Sequence, residues 1–440
     1  MSEEMMVRTT KANLGDRMGQ IPIGSLPKVF QDAIVITAEL GIQWLWIDAL
    51  CIVQDDLEDY QKERQAIGDI YQSSYLTLAA SGARNSREGL FLDRNTEGHI
   101  PLKYTFEDES SGDISEGRVY VRALVSGFRK LWSNTLHSRA WTLQEHLLSR
   151  RIVYFDTHQM LWVCQEDHRS EDQLPEFTDS YDGRVELLNS TSRSTKDALF
   201  QWQQLVMEYS RRDLSRGSDK LPALSAIAVI MEKKLRSRYI AGLWEEHLVT
   251  WLLWRPQRGW MATPTSGYRA PSWSWASLDG EVTFMGSAND HILWEAKVDQ
   301  VSVKASTDDP RGELSSGLLK ITGFLHDLGN EEAGFSIEES QRFTDPAILN
   351  RVGYDHPVGE IWYDQDPSRE HHMGKLHCLL IRVDLIAIHE RWYGLVLRST
   401  SANENVFYRV GYARPKQLFW GFLGKESVFD GSVEQTITII

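Results

Sequence analysis

The sequence predicts an α/β layered domain at residues 1–165, an acidic loop and helical segment at 166–267, and a β-rich region at 268–440. Three observations predict it. Helical and strand-like stretches alternate with short joints through the first region. One of those stretches is an apolar run of the kind that a parallel sheet buries on both faces. Past residue 268, short runs of strand character follow one another with polar loops between them.

Each element of the first region carries its own signal. Residues 25–41, "SLPKVFQDAIVITAELG", read as a helix: Ser25 can cap it, Pro27 suits the first turn, and Gly41 follows the last. Val29, Ala33, Ile36 and Leu40 share its apolar face. "IQWLWIDALCI" is almost unbroken in apolar residues and too short for another helix, so it reads as a buried strand. "DDLEDYQKERQAIGDIYQ" returns to helical spacing, with acids at its start where the helix dipole favours them. "SYLTLAAS" is strand-like, "SGARNSREGLFLDRNTEGHI" a loop, and "GRVYVRAL" a strand. A helix at 138–149 then leads into two strands, "RIVYF" and "MLWVC".

From Gln165 to Thr195 the chain is polar and acidic, and residues 196–255 read as helical. "YIAGLWEEHLVTWLLWR" carries Glu245, Glu246 and His247 near its middle, which makes it a buried or half-buried helix and not a membrane span. Among the later strands are "AKVDQVSVKAS", "KLHCLLIRVDLIAI" and "VFYRVGYA". Trp273 and Trp275 alternate with Ser272 and Ser274 at strand period, placing both indoles on one face as core anchors.

A hydrophobic content of 42% and a charged content of 25% are those of a soluble globular chain. A net charge of −15 argues against nucleic acid or an anionic membrane as the main partner. Cys51, Cys164 and Cys378 lie far apart with no CxxC pair, which supports neither a disulfide framework nor a zinc site. Cys51 reads as a buried, inert thiol. His371, His372 and His377 lack an acidic or cysteine partner at metal-ligand spacing and read as loop histidines, so no metal is expected. The start "MSEEMMVRTTKANLGDR" shows no secretory signal, and the cytoplasm is the expected location.

Four blocks resemble the fungal heterokaryon-incompatibility (HET) domain proteins: "TTKANL…IPIGSLPKVFQDAI", "LGIQWLWIDALCIVQDD", "IGDIYQSSYLTLAASGARNSREGLF" and "SRAWTLQEHLLSRRIVYF". "DKLPALSAIA" and "APSWSWASLDG" are similar to the C-terminal half of longer members. The resemblance implies fungal non-self recognition ending in programmed cell death, with protein partners from incompatible strains or self-association. It also implies a TIR-like, flavodoxin-like layered parallel sheet. Members usually begin with a strand of the type "LSYxWG" ahead of the position of Thr9-Thr10, and this chain starts at Met1 without it.

Some TIR domains cleave NAD with a glutamate in a W-x-x-x-E helix, and "WTLQE" gives Trp141 and Glu145 that spacing. The resemblance therefore implies Glu145 as the catalytic carboxylate, with NAD as substrate and no bound cofactor. Trp141, Asp48 and Gln54 are the candidate NAD-binding residues. Each has a second reading. Glu145 can be an ordinary helix residue paired with Arg139, Arg150 or Arg151, and Asp48 can simply cap the turn that follows it. Gln54 can belong to a polar turn with Asp55 and Asp56. The alternatives for the whole chain are a non-catalytic signalling module acting through protein contacts, or a degenerate inactive member.

Overall fold

The computed structural model describes residues 7–93, 100–107, 113–121, 134–172, 194–257, 263–264, 267–285, 291–328, 335–338, 345–365, 374–386, 389–400, 403–418, 421–422 and 424–440. His371, His372 and most of the acidic loop lie outside them. The chain mixes helices and strands, and its C-terminal part is β-rich. It divides into two compact units, Met1–Ser138 with Glu145–Val185, and Arg139–Gln144 with Glu186–Ile440.

The first unit opens with helix α1 (Leu14–Gly19) and helix α2 (Lys28–Glu39). Pro27 stands just before α2 with φ −58°, already set for the first turn, and Gly41 closes it at φ +69°, where a side chain would be strained. The inner face of α2 packs Ala33 against Leu90 and Phe155, with Val29 and Ile36 alongside. Asp32 on that helix is buried, yet it is fully engaged: Lys28 donates to one oxygen and the Leu90 amide donates to the other at 2.8 Å. Burial works against its charge, but Lys28 and the backbone donors outweigh burial and hold the carboxyl below its usual value.

Helix α3 (Asp48–Cys51) is one turn, and helix α4 (Leu57–Ser73) is capped by Asp56, which accepts from the amides of Glu58 and Asp59. The sheet is small and mixed. Strand β1 (Thr77–Ala79) lies parallel to β4 (Arg151–Phe155), which pairs antiparallel with β5 (Met160–Cys164), and β5 with β6 (His168–Ser170). Strands β2 (Ile100–Glu107) and β3 (Ile114–Val121) form a separate, largely exposed antiparallel ribbon. Helix α5 (Trp141–Leu148) precedes β4.

The expected buried strand in "IQWLWIDALCI" is not there. Residues 42–47 carry no strand assignment, Trp44 is 86% exposed, and the run ends in α3. A strand needs a hydrogen-bonding neighbour on an adjacent edge. No strand among the described residues pairs with this run, and the outer edge of β1 is likewise unpaired. Among the described residues, parallel pairing in this sheet is confined to β1 and β4.

The second unit holds helices α6 (Thr195–Ser210), α7 (Ser225–Leu235) and α8 (Leu248–Trp251) beside a ten-stranded sheet. Strands 376–386, 389–400 and 403–414 run as an antiparallel meander in that sheet, and 314–327 joins 296–305 to 433–439. The stretch expected as one helix, 239–255, breaks into a two-residue hairpin, a short helix and a strand. Ala241 and Gly242 both take positive φ, as a tight hairpin turn requires. A Cβ at Gly242 would also lie 2.7 Å from the indole nitrogen of Trp275, and the Gly242 carbonyl accepts from both Trp202 and Trp275. Trp273 and Trp275 are fully buried as expected, but in a turn and a 3-10 helix (Trp275–Ser277) instead of a strand. No described helix is long and apolar enough to cross a membrane.

Candidate functional site

Where a strand was expected, the first unit has a groove of about 720 Å³. One wall is the extended run Ile42–Ile47, another is β1 with Leu78, and Ala33 of α2 and Leu40 at its C-cap contribute to a third. Trp46 is held edge-on against Tyr71 at 5.8 Å, so the wall is braced from α4. The lining is mostly apolar, and Asp48 is the one carboxylate among its described residues.

The start of the described chain fixes one end of this groove. Thr9 is buried; its amide donates to Ala49 O at 2.9 Å, its hydroxyl to Leu50 O at 2.6 Å, and its carbonyl accepts from the Gln54 amide. The Lys11 backbone amide donates to the Asp55 carboxylate at 2.8 Å, and its ammonium meets Asp56 at 3.0 Å. The "TTK" and "DALCIVQDD" blocks are thus one hydrogen-bonded assembly. Asp48 begins α3, is exposed, and accepts from the Ala49 amide at 2.7 Å. Gln54 turns away from the groove lining, its amide donating to Asp48 O and Ile52 O at 3.1 and 3.3 Å. Cys51 is exposed and lines the groove, which corrects its expected burial. Partial desolvation of its sulfur, with Glu63 and Asp48 nearby, pushes the thiol above its usual value, which works against a thiolate nucleophile.

Helix α5 is buried on nearly every side, and Trp141 and Glu145 are its half-buried residues. The helix is divided: Arg139–Gln144 cluster with the second unit and Glu145 onward with the first. Within the second unit, the Trp141 indole donates to Asp219 at 3.1 Å, the Ala226 amide donates to Gln144, and Arg212 donates to the Thr142 hydroxyl at 3.0 Å. Within the first, Ser149 donates to Glu145 O at 2.7 Å, and its own hydroxyl meets that of Thr77 on β1 at 2.8 Å. The end of α5 is therefore tied by side-chain hydrogen bonds to a residue that lines the groove.

A cluster that the sequence did not disclose sits beside Glu145. His146 Nδ1 hydrogen-bonds the Tyr154 hydroxyl, and the His137 ring stands 5.7 Å from that of Tyr154, all three buried. The available signal was a histidine on either side of the W-x-x-x-E stretch, but what brings them together is β4, which no spacing rule reveals. Of the four expected site residues, Asp48 alone lines the groove; Gln54, Trp141 and Glu145 do not. His377 packs edge-on against Phe407, and no group of three metal-ligating side chains gathers among the described residues. Neither a curated protein nor a solved structure matches the chain. Residues 4–145 do match one family model, that of the Heterokaryon incompatibility protein (HET), which is the family the four sequence blocks resemble.

Proposed function

We propose that the chain acts in fungal non-self recognition as a programmed cell death effector, and that its first unit works through protein contacts. The observation that carries this reading is the apolar groove beside the unpaired edge of β1, within the stretch that matches the HET model. The occupant we assign to it is an extended, apolar segment of a partner protein. Such a strand draws affinity from main-chain hydrogen bonds to a free edge and specificity from side-chain pockets. Here β1 offers the edge, and Ile42, Trp44 and Leu78 offer apolar surface.

A second reading is hydrolysis of the nicotinamide–ribose bond of NAD in a TIR-like layered domain, and Glu145 favours it as a half-buried carboxylate in a W-x-x-x-E helix. The leaving pyridinium is already cationic, so the need is for a carboxylate that orients the ribose and steadies oxocarbenium charge. Glu145 would do this.

Inducible expression of wild type and Glu145→Gln at matched protein level separates the two. Under the contact reading the Gln variant kills as wild type does and NAD stays constant. A fall in NAD that the substitution cuts on the order of 10²–10³-fold, together with loss of killing, would replace it with the enzymatic reading.

A further inference from the structure

The ribbon of β2 and β3 has two unlike faces, set by strand alternation and by its register. Ile100, Leu102, Tyr104 and Phe106 share one face with Val119 and Val121, and all six are 47–61% exposed. The Tyr104 ring lies over Gly117, where a Cβ would stand 2.6 Å from it, so the glycine makes room for the ring. The opposite face of β3 carries Glu116 and Arg118, flanked by Ile114 and Tyr120, and all four are exposed. Directly across the ribbon Glu116 is opposite Thr105, and Arg118 is opposite Lys103, a like charge. Like charges placed opposite one another weaken a strand pair.

Two strands alone are marginal in water, and further strands are what make such a sheet stable. The second edge of β3 pairs with no strand among the described residues. Another copy of β3 fits that edge in one antiparallel register. Two-fold symmetry about Gly117 sets Glu116 opposite Arg118 of the other copy, and Arg118 opposite its Glu116. The carboxylate then offsets the repulsion between Arg118 and Lys103. The same symmetry sets Ile114 opposite Tyr120 twice, a cross-strand pair that favours adjoining strands. Centring the axis on Glu116 or on Arg118 would instead set like charges against each other. Residues opposite in a pair lie on one face, so the apolar faces of the two ribbons also become continuous.

We infer that this chain self-associates through the outer edge of β3, joining two ribbons into one sheet in which Glu116 and Arg118 pair reciprocally across the two-fold axis. The groove is lined by other residues, so this surface goes beyond the groove reading and does not rest on it.

Sedimentation velocity of the full chain over a concentration series tests this. Wild type is expected to dimerise. Glu116→Arg and Arg118→Glu each turn both cross-copy pairs into like-charge pairs, and each should weaken dimerisation by about tenfold or more. An equimolar mixture of the two variants regains opposite charges at both positions and should form the mixed dimer. The chain carrying both exchanges should dimerise as well. Thermal melts should show every variant folded, because both positions are exposed. Trp44→Glu, in the groove, should leave dimerisation unchanged. A wild type that stays monomeric throughout the series, single variants that dimerise as wild type does, a mixture that remains monomeric, or dimerisation lost with Trp44→Glu would overturn the assignment.

Discussion

The described tryptophans of the second unit are mostly buried, whereas none of those in the first is. In the second, Trp202, Trp244, Trp251, Trp254, Trp273, Trp275 and Trp392 are each under 2% exposed, and several spend their indole N–H on a carbonyl. Buried Arg409 even stacks its guanidinium 3.5 Å from the Trp254 centroid. In the first, Trp44 is 86% exposed and Trp46 is half-buried, both on the lip of a groove. A large aromatic in a closed core contributes area and shape, whereas the same residue left in water beside an unpaired strand edge contributes recognition. The difference separates a buried tryptophan core from an exposed apolar lip, to which our proposal assigns a partner.

Four substitutions sharpen or break this contrast, taken from the largest expected effect downward. Trp273→Ala should cost about 3–5 kcal/mol, the range for emptying a large buried aromatic site, and limited proteolysis should show new cuts after residue 268. Unchanged protease resistance would mean that the tryptophan core is not what holds the second unit.

Lys220→Met comes next, and its effect depends on pH. Burial has lowered the folded-state pKa of Lys220 from 10.5 to about 8. Between those values the unfolded chain holds a proton that the folded chain has released, so wild-type stability should rise with pH across that window. Denaturant melts at pH 7.5 and 10 should show this rise in wild type and a flatter response in the variant, which should be the more stable of the two at the lower pH.

Asp32→Ala should destabilise the first unit by about 1–3 kcal/mol, because it strands the buried Leu90 amide and removes Lys28's partner. Since the folded carboxyl sits below its usual value of 3.8, its contribution is complete above that pH and is lost as pH falls through the lowered value. Acid melts of wild type and variant should converge there. The smallest effect belongs to Trp44→Ala, which should shift stability by no more than about 0.5 kcal/mol, as for an exposed site. A larger loss would show that Trp44 packs, and would erase the contrast.

Local punctuation made much of this legible. Pro27 and Gly41 framed α2, the acids at 55–59 announced the start of α4, and "RIVYF" and "MLWVC" are β4 and β5. The resemblance was legible too, since three of the four blocks fall within the residues that the family model matches and the fourth begins there. Tertiary pairing was not. The run at 42–47 has the composition of a buried strand, yet burial depends on a neighbour that composition does not name. Ala241 takes a left-handed turn conformation that its residue type does not advertise. The Trp141–Asp219 bond joins residues 78 apart. Site chemistry hung on a four-residue spacing, while the groove arose from an edge left unpaired.

The central claim is that the first unit acts through its groove. Trp44→Glu tests it most directly, because it places a charge on the apolar lip at a position that bears no fold. Cell death on contact with an incompatible strain should be measured for wild type and Trp44→Glu at matched protein level and matched melting temperature. The account expects the variant to lose killing while its melting temperature stays within about 2 °C of wild type, as for an exposed site. A variant that kills as well as wild type would contradict it.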